Sequence, residues 1–341
     1  MNTKWMLAGL MAILMVMLAA CGSGNKTIEP TGASGSSQTE QSQSEQANTS
    51  SQNESGADEG GETRTIEYLG QTYTIPAKVQ KLVIAGAMEA MEDAAALGVH
   101  PAGAISVGGS FPEMFAAITA DAVSIGEKQQ PNFETILGLK PDVILGSTKF
   151  TAEVQEKLRK IAPTILVSHI ATDWEANLRL MGELGSKQQE AEAILAQYKQ
   201  DAEAMQASIK EKLQGKRVAA VRIRGTQMYV YPPDVYFNPV LYDEIGLEVP
   251  AQVAAAKTQE AISVEQLAEM NPDYLFIQFA TSESGETEQA YNGLKNNAII
   301  QNITAFKQDQ VYVNVVDPLL EGGPAFSRIK FLASLQQHLD K

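Results

Sequence analysis

Two arginines, Arg222 and Arg224, stand two residues apart in the run Val218-Ala-Ala-Val-Arg222-Ile-Arg224. On a strand, alternate side chains project from the same face, so the two guanidinium groups point together. Each is a permanently charged, rigid fork of donors, suited to an anion or an oxygen-rich ligand. Two readings stand: contact with a ligand, or pairing with acidic neighbours. Tyr229, Tyr231, Tyr236 and Phe237 follow at once; each fits a ligand wall or an apolar core. Lys149 and Phe150 end a β-like run, where open α/β sheets bind their ligands. Trp174, the one tryptophan besides Trp5, fits a core or a cleft.

Other chemistries find no support. His100, His169 and His338 are far apart, whereas a transition-metal site needs converging ligands, so no metal site and no cofactor are expected. Walker A, H-E-x-x-H and G-x-S-x-G patterns are absent from the chain, which excludes the common NTPase, zincin and hydrolase classes. No catalytic residue is expected. The chain carries 26 basic and 41 acidic residues, a net charge of −15. Such a surface repels phosphate backbones, so nucleic acid is not an expected partner. A single cysteine, Cys21, excludes an internal disulfide.

That cysteine closes a leader. Lys4 precedes an apolar run from Trp5 to Ala20, 16 residues long, short of the ~20 a membrane span needs. The run ends in Leu18-Ala-Ala-Cys21-Gly22, which resembles the lipobox of bacterial lipoproteins. The resemblance implies cleavage after residue 20 and a diacylglycerol on the Cys21 thiol, whose two acyl chains suffice for stable anchoring. Residues 22–62 are rich in Ser, Gly, Gln, Glu, Asn and Thr, with seven acids against Lys26 alone. This composition cannot bury enough apolar surface to order itself. As a flexible coil it would span roughly 35 Å, holding a domain clear of the membrane.

Folded structure is expected from Arg64 onward. Alternation from Thr65 to Ile75 around Leu69-Gly70 signals a hairpin. Strands are expected at 81–85, 102–107, 142–145 and 164–167, and helices at 88–97 and 152–161. This β/α alternation implies parallel sheets. A long helix is expected over 187–213, with Ser186 and Gln189 as a capping box and Gly215 as its stop. Beyond it the alternation restarts at Arg217–Ile223.

The chain repeats itself across that helix. Asn132-Phe-Glu134-Thr-Ile-Leu-Gly-Leu-Lys-Pro141-Asp142-Val-Ile matches Ser263-Val-Glu265-Gln-Leu-Ala-Glu-Met-Asn-Pro272-Asp273-Tyr-Leu, each position shifted by 131 (265 − 134; 273 − 142). In both, a short helix ends before Pro-Asp and a buried strand follows. The expected fold is α/β: two similar Rossmann-like lobes joined by one long rigid helix, with a ligand cleft between them. The expected division is a signal peptide at 1–20, a tether at 21–62, an N-terminal lobe at 63–185, the interlobe helix at 186–215 and a C-terminal lobe at 216–341.

These segments resemble the class III substrate-binding lipoproteins of ABC importers, the iron-siderophore and cobalamin type, over roughly residues 64–341. The doubled E-x-φ-x-x-φ-x-P-D motif carries the resemblance. So do Gly146-Ser-Thr-Lys149-Phe150, the Arg222–Arg224 strand with its aromatic sequel, and Gly322-Gly-Pro324 before the last helix. The resemblance implies a monomeric, non-enzymatic receptor, lipid-anchored on the outer face of the cell membrane. It would hand a ferric siderophore to an ABC permease with its ATPase subunits. Iron would arrive already chelated. Hydroxamate or mixed carboxylate–hydroxamate chelates come first as expectations, then ferric citrate, with haem and cobalamin behind. The alternative of another class is a surface enzyme on a two-lobed scaffold. Expected ligand contacts are Lys149, Trp174, Arg222, Arg224, Tyr231 and Tyr236. The family's pair of permease-docking glutamates falls on Glu134 and Glu265.

Overall fold

The structure is a computed structural model that describes residues 62–281 and 286–339. The leader, Cys21 and all of the expected tether but Glu62 lie outside the described residues. Strand β1 (Thr63–Tyr68) and strand β2 (Gln71–Pro76) form the expected antiparallel hairpin. Leu69 and Gly70 both take positive φ, 47° and 75°, the turn geometry whose twist suits a two-residue hairpin. Ile66, Tyr68 and Ile75 bury the hairpin's inner face in the first core. The Tyr68 hydroxyl accepts from the Ser168 amide at 2.8 Å and donates to Asn177. The hairpin thereby fixes a stretch that lines the cleft described below.

The first lobe continues with β3 (Leu82–Ile84), α1 (Met88–Leu97), β4 (Gly103–Ser106), α2 (Ala116–Thr119), β5 (Val123–Glu127), β6 (Gln130–Pro131), α3 (Phe133–Leu139), β7 (Val143–Ser147), α4 (Ala152–Arg159), β8 (Thr164–Val167) and α5 (Trp174–Leu184). Its sheet runs β6-β5-β4-β3-β7-β8, with only the short β6 antiparallel. From β3 the chain winds outward first through β4 and β5, then on the other side through β7 and β8. That reversal opens a crevice at the carboxyl ends of β3 and β7. Helix α1 stops where expected, with Gly98 left-handed at φ 64°.

Helix α6 (Gln188–Ile209) joins the lobes. Its first half gives Ala191 and Leu195 to the first core, and its second half gives Tyr198, Ala202, Met205 and Ile209 to the second. At 22 residues it spans roughly 33 Å. It is shorter than expected, because residues 210–214 form turns before Gly215. The expected Ser186 capping box is corrected: Ser186 is left-handed at φ 55°, and the cap position is Lys187 with no side-chain cap. The backbone turn between α5 and α6 claims Ser186, so its hydroxyl does not sit at the helix mouth.

The second lobe holds β9 (Val218–Arg224), β10 (Gln227–Val230), α7 (Ala251–Ala255), β11 (Glu260–Ile262), α8 (Val264–Met270), β12 (Tyr274–Gln278), α9 (Glu286–Lys295), α10 (Thr304–Lys307), β13 (Val311–Val313) and α11 (Ala325–Leu339). Its sheet runs β11-β10-β9-β12-β13; β9, β12 and β13 are parallel, while β10 and β11 are antiparallel neighbours. Helix α11 returns across the molecule: Ala325 joins the first core and Phe331, Leu332, Leu335 and Leu339 the second. Two helices therefore tie the lobes, where one was expected. Among the described residues no helix is long and apolar enough to cross a membrane.

The repeat has a physical meaning. Asn132 and Ser263 cap α3 and α8, accepting from Thr135 at 3.1 Å and Gln266 at 3.2 Å. Lys140 and Asn271 end those helices in left-handed turns. The aspartate after each proline then fastens the neighbouring central strand. Asp142 accepts the Gln80 and Lys81 amides at 2.7 and 2.8 Å, and Asp273 accepts the Arg217 amide at 2.9 Å. Each lobe thus locks the register of its central strand in the same way.

Candidate functional site

A cavity of about 710 Å³ lies between the lobes. All six expected ligand contacts line it: Lys149, Trp174, Arg222, Arg224, Tyr231 and Tyr236. Lys149 follows β7 and donates to Glu89, in the first turn of α1, at 3.1 Å. This pair sits at the reversal of the first sheet. From the facing lobe, β9 presents Arg222, 4% exposed, and Arg224. The Arg222 guanidinium stands 5.6 Å from the centre of the Tyr236 ring, within range of a cation–π contact. Arg224 and the Tyr231 hydroxyl both donate to Gln259, at 3.0 and 3.2 Å. Tyr231 and Tyr236 lie 4.7 Å apart, ring centre to ring centre.

The aromatic run divides by face. Tyr231 and Tyr236 reach the cavity, Phe237 is fully buried against Phe331, and Tyr229 donates outward to Gln227. Tyr236 takes a left-handed φ of 63°, costly for a bulky residue and typical of functional sites. Burial pushes the Tyr231 and Tyr236 hydroxyls up, so both stay neutral donors at physiological pH. Trp174 serves both roles that were open for it: it lines the cavity and packs against both cores. Its ring meets Tyr198 edge-on at 5.3 Å and carries Arg328 at 4.7 Å.

Several cavity residues were not among the expected ligand contacts: Lys128, Glu89, His169, Lys257, Gln259 and Glu321. Lys128 follows β5 as Lys149 follows β7, so the same strand-end rule would have found it had β5 been recognised. Lys128 pairs with Glu321. Burial pulls the Lys128 ammonium down, but Glu321 and Glu89 together more than offset it, so the group is held above its ordinary value. Burial works against ionised Glu321, but Lys128, Lys149 and Arg222 hold its carboxyl at about 2. His169 is held below its ordinary value by burial and then by Lys149, and contacts the Thr148 hydroxyl at 2.8 Å. Among the described residues no group of three or more His, Cys, Asp or Glu is placed to hold a metal ion.

The cavity is thus lined by five basic side chains, Lys128, Lys149, Arg222, Arg224 and Lys257, against three acidic ones, Glu89, Asp234 and Glu321. In a chain of net charge −15, that excess of positive charge focuses on one cleft and attracts an anion. Glu134 and Glu265 lie elsewhere, exposed at the openings of α3 and α8.

Comparison with known proteins agrees with this geometry. The family model described as periplasmic binding protein matches residues 83–314. The iron-uptake system-binding protein of Bacillus subtilis is 41% identical over 330 residues, covering 97% of this chain and 96% of that protein. A crystal structure of the triscatecholate siderophore binding protein FeuA from Bacillus subtilis, complexed with ferri-bacillibactin, is 45% identical. It superposes with a TM-score of 0.77 over 81% of this chain and 98% of that one. A probable siderophore-binding lipoprotein, YfiY, also of Bacillus subtilis, is 25% identical over 74% of this chain and 80% of its own. With two α/β lobes, a cleft between them and a family match across most of the folded part, the chain belongs to the periplasmic binding proteins, on the branch whose relatives serve iron uptake.

Proposed function

We propose that this chain captures a ferric triscatecholate siderophore outside the cell and delivers it to an ABC permease. The observation that carries this reading is the convergence of five cations and two neutral tyrosines on one interlobe cavity. Ferric iron bound by three catecholates is a compact complex of net charge three minus; a ferric trihydroxamate is neutral. The cationic cleft favours the former, and so does the relative that binds ferri-bacillibactin. This moves the chelate class away from the hydroxamate or mixed carboxylate type expected first. Equilibrium dialysis of radio-iron chelates against the purified chain tests it. The triscatecholate should be retained best, ahead of ferric citrate and a ferric trihydroxamate; equal retention of the trihydroxamate would refute the charge-based reading.

Anchoring through lipid on Cys21, with residues 22–62 as a tether, places this receptor on the outer face of the membrane. Cys21→Ala should release the protein from the membrane fraction. Membrane-bound or lipid-labelled mutant protein would show another anchor.

Docking to the permease is assigned to Glu134 and Glu265. Both are exposed second residues of capped helices, where the positive end of the helix favours a carboxylate. The Ser263 hydroxyl beside Glu265 holds its carboxyl below the ordinary range. Two equivalent acids on two lobes suit charge-assisted contacts with the two halves of a permease. The Glu134→Ala/Glu265→Ala protein should keep its ligand affinity and melting temperature, while cells carrying it lose most siderophore-iron import. Import equal to wild type at equal expression would remove the docking role.

A further inference from the structure

The cleft contains a feature opposed to an anionic ligand: two carboxylates already hold its lysines. Glu321 pairs with Lys128, and Glu89 pairs with Lys149 at 3.1 Å. The backbone beneath Glu321 and the burial of Glu89 hold both acids at the cleft. The Glu321 amide donates to buried Glu92 at 2.7 Å, and the next amide, Gly322, donates to the Ser327 hydroxyl at 3.0 Å. Gly322 sits at φ 83°, where an added Cβ would come within 2.6 Å of the Tyr236 carbonyl carbon. The backbone beneath Glu321 is therefore wedged between the lobes. Glu89 is 4% exposed, and its Oε2 has no hydrogen-bond partner among the described residues.

We infer that Glu321 and Glu89 are selectivity residues, fixed counter-anions that make the cleft reject small multivalent anions such as citrate and phosphate. This rests on the reading of the cleft as a site for a large anionic chelate. A small anion bonded to either ammonium must lie within a few ångströms of the carboxylate that already holds that ammonium. Like-charge juxtaposition of this kind is a common device for excluding wrong partners. A bulky chelate differs in two respects. Its charge is spread over a shell of oxygens, and it reaches Arg222 and Arg224 at the same time. Each ammonium has three donors, so one can stay on its carboxylate while the others face the chelate.

Calorimetric titration of the purified full chain with citrate, inorganic phosphate and ferric triscatecholate tests this. In Glu321→Gln and Glu89→Gln, citrate and phosphate should bind about tenfold tighter or more than in wild type. The ratio of citrate to chelate dissociation constants should fall accordingly. Glu321→Asp, which keeps the charge, should still reject both small anions. If Glu321→Gln fails to fold, Glu89→Gln carries the test through Lys149. Citrate and phosphate affinities within threefold of wild type in the folded glutamine variants would overturn the inference. Failure of wild type to bind the chelate would instead overturn the functional reading, and the small-anion comparison would stand apart from it.

Discussion

Replacing Arg328 by alanine is expected to destabilise the protein by about 3–5 kcal/mol, the usual cost of leaving half of a buried ion pair behind. Arg328 is 1% exposed. It pairs with Glu244, which also accepts from the Tyr198 hydroxyl. It donates to the carbonyls of Gly323 and, at 2.9 Å, Ala171, and it stacks on Trp174. Alanine would strand a largely buried carboxylate and two carbonyls at the junction of the lobes. The melting temperature should fall by roughly 10 °C. Urea unfolding of Arg328→Ala, Glu244→Gln and the double variant would measure the coupling. A loss below about 1 kcal/mol for Arg328→Ala would show that the pin does not hold the lobes.

The largest loss of ligand affinity is expected at Arg222. A charged hydrogen bond contributes about 1.5–3 kcal/mol, so Arg222→Ala or Arg224→Ala should each weaken binding roughly 10- to 150-fold. Arg222 should sit at the upper end, because it is more buried and lies against Tyr236, where water screens it less. Circular dichroism must show each variant folded. Folded variants with wild-type affinity would return both arginines to a structural role.

Much of this was legible in the sequence because the signals were local. The spacing of Arg222 and Arg224 fixed a shared face, and strand-end position placed Lys149. The limits of α1 followed from apolar periodicity and Gly98. The repeat announced two lobes, and its Pro-Asp joints proved to be strand clamps. What stayed hidden depends on distant parts of the chain meeting. Glu321 lies 193 positions from Lys128 (321 − 128), and nothing local marks that pair. The buried acid Glu92, pushed up by burial, accepts from Glu321 and Ser327 across the molecule. It reads in sequence as one more helix-surface acid. Arg328 left a faint signal, since it shares a helix face with Leu332 and Leu335 (i, i+4, i+7) and so was aimed inward. Ser186 misled for the opposite reason: a capping pattern was present, but the tight turn from α5 took precedence.

The cationic interlobe cleft is the proposed chelate site. Calorimetric titration of the purified chain with a ferric triscatecholate, repeated with Arg222→Ala/Arg224→Ala, tests it most directly. The expected result is one chelate per chain with a dissociation constant of about 1 μM or tighter in wild type, and at least tenfold weaker binding in the folded double variant. No saturable binding in wild type, or equal affinity in the two proteins, would contradict it.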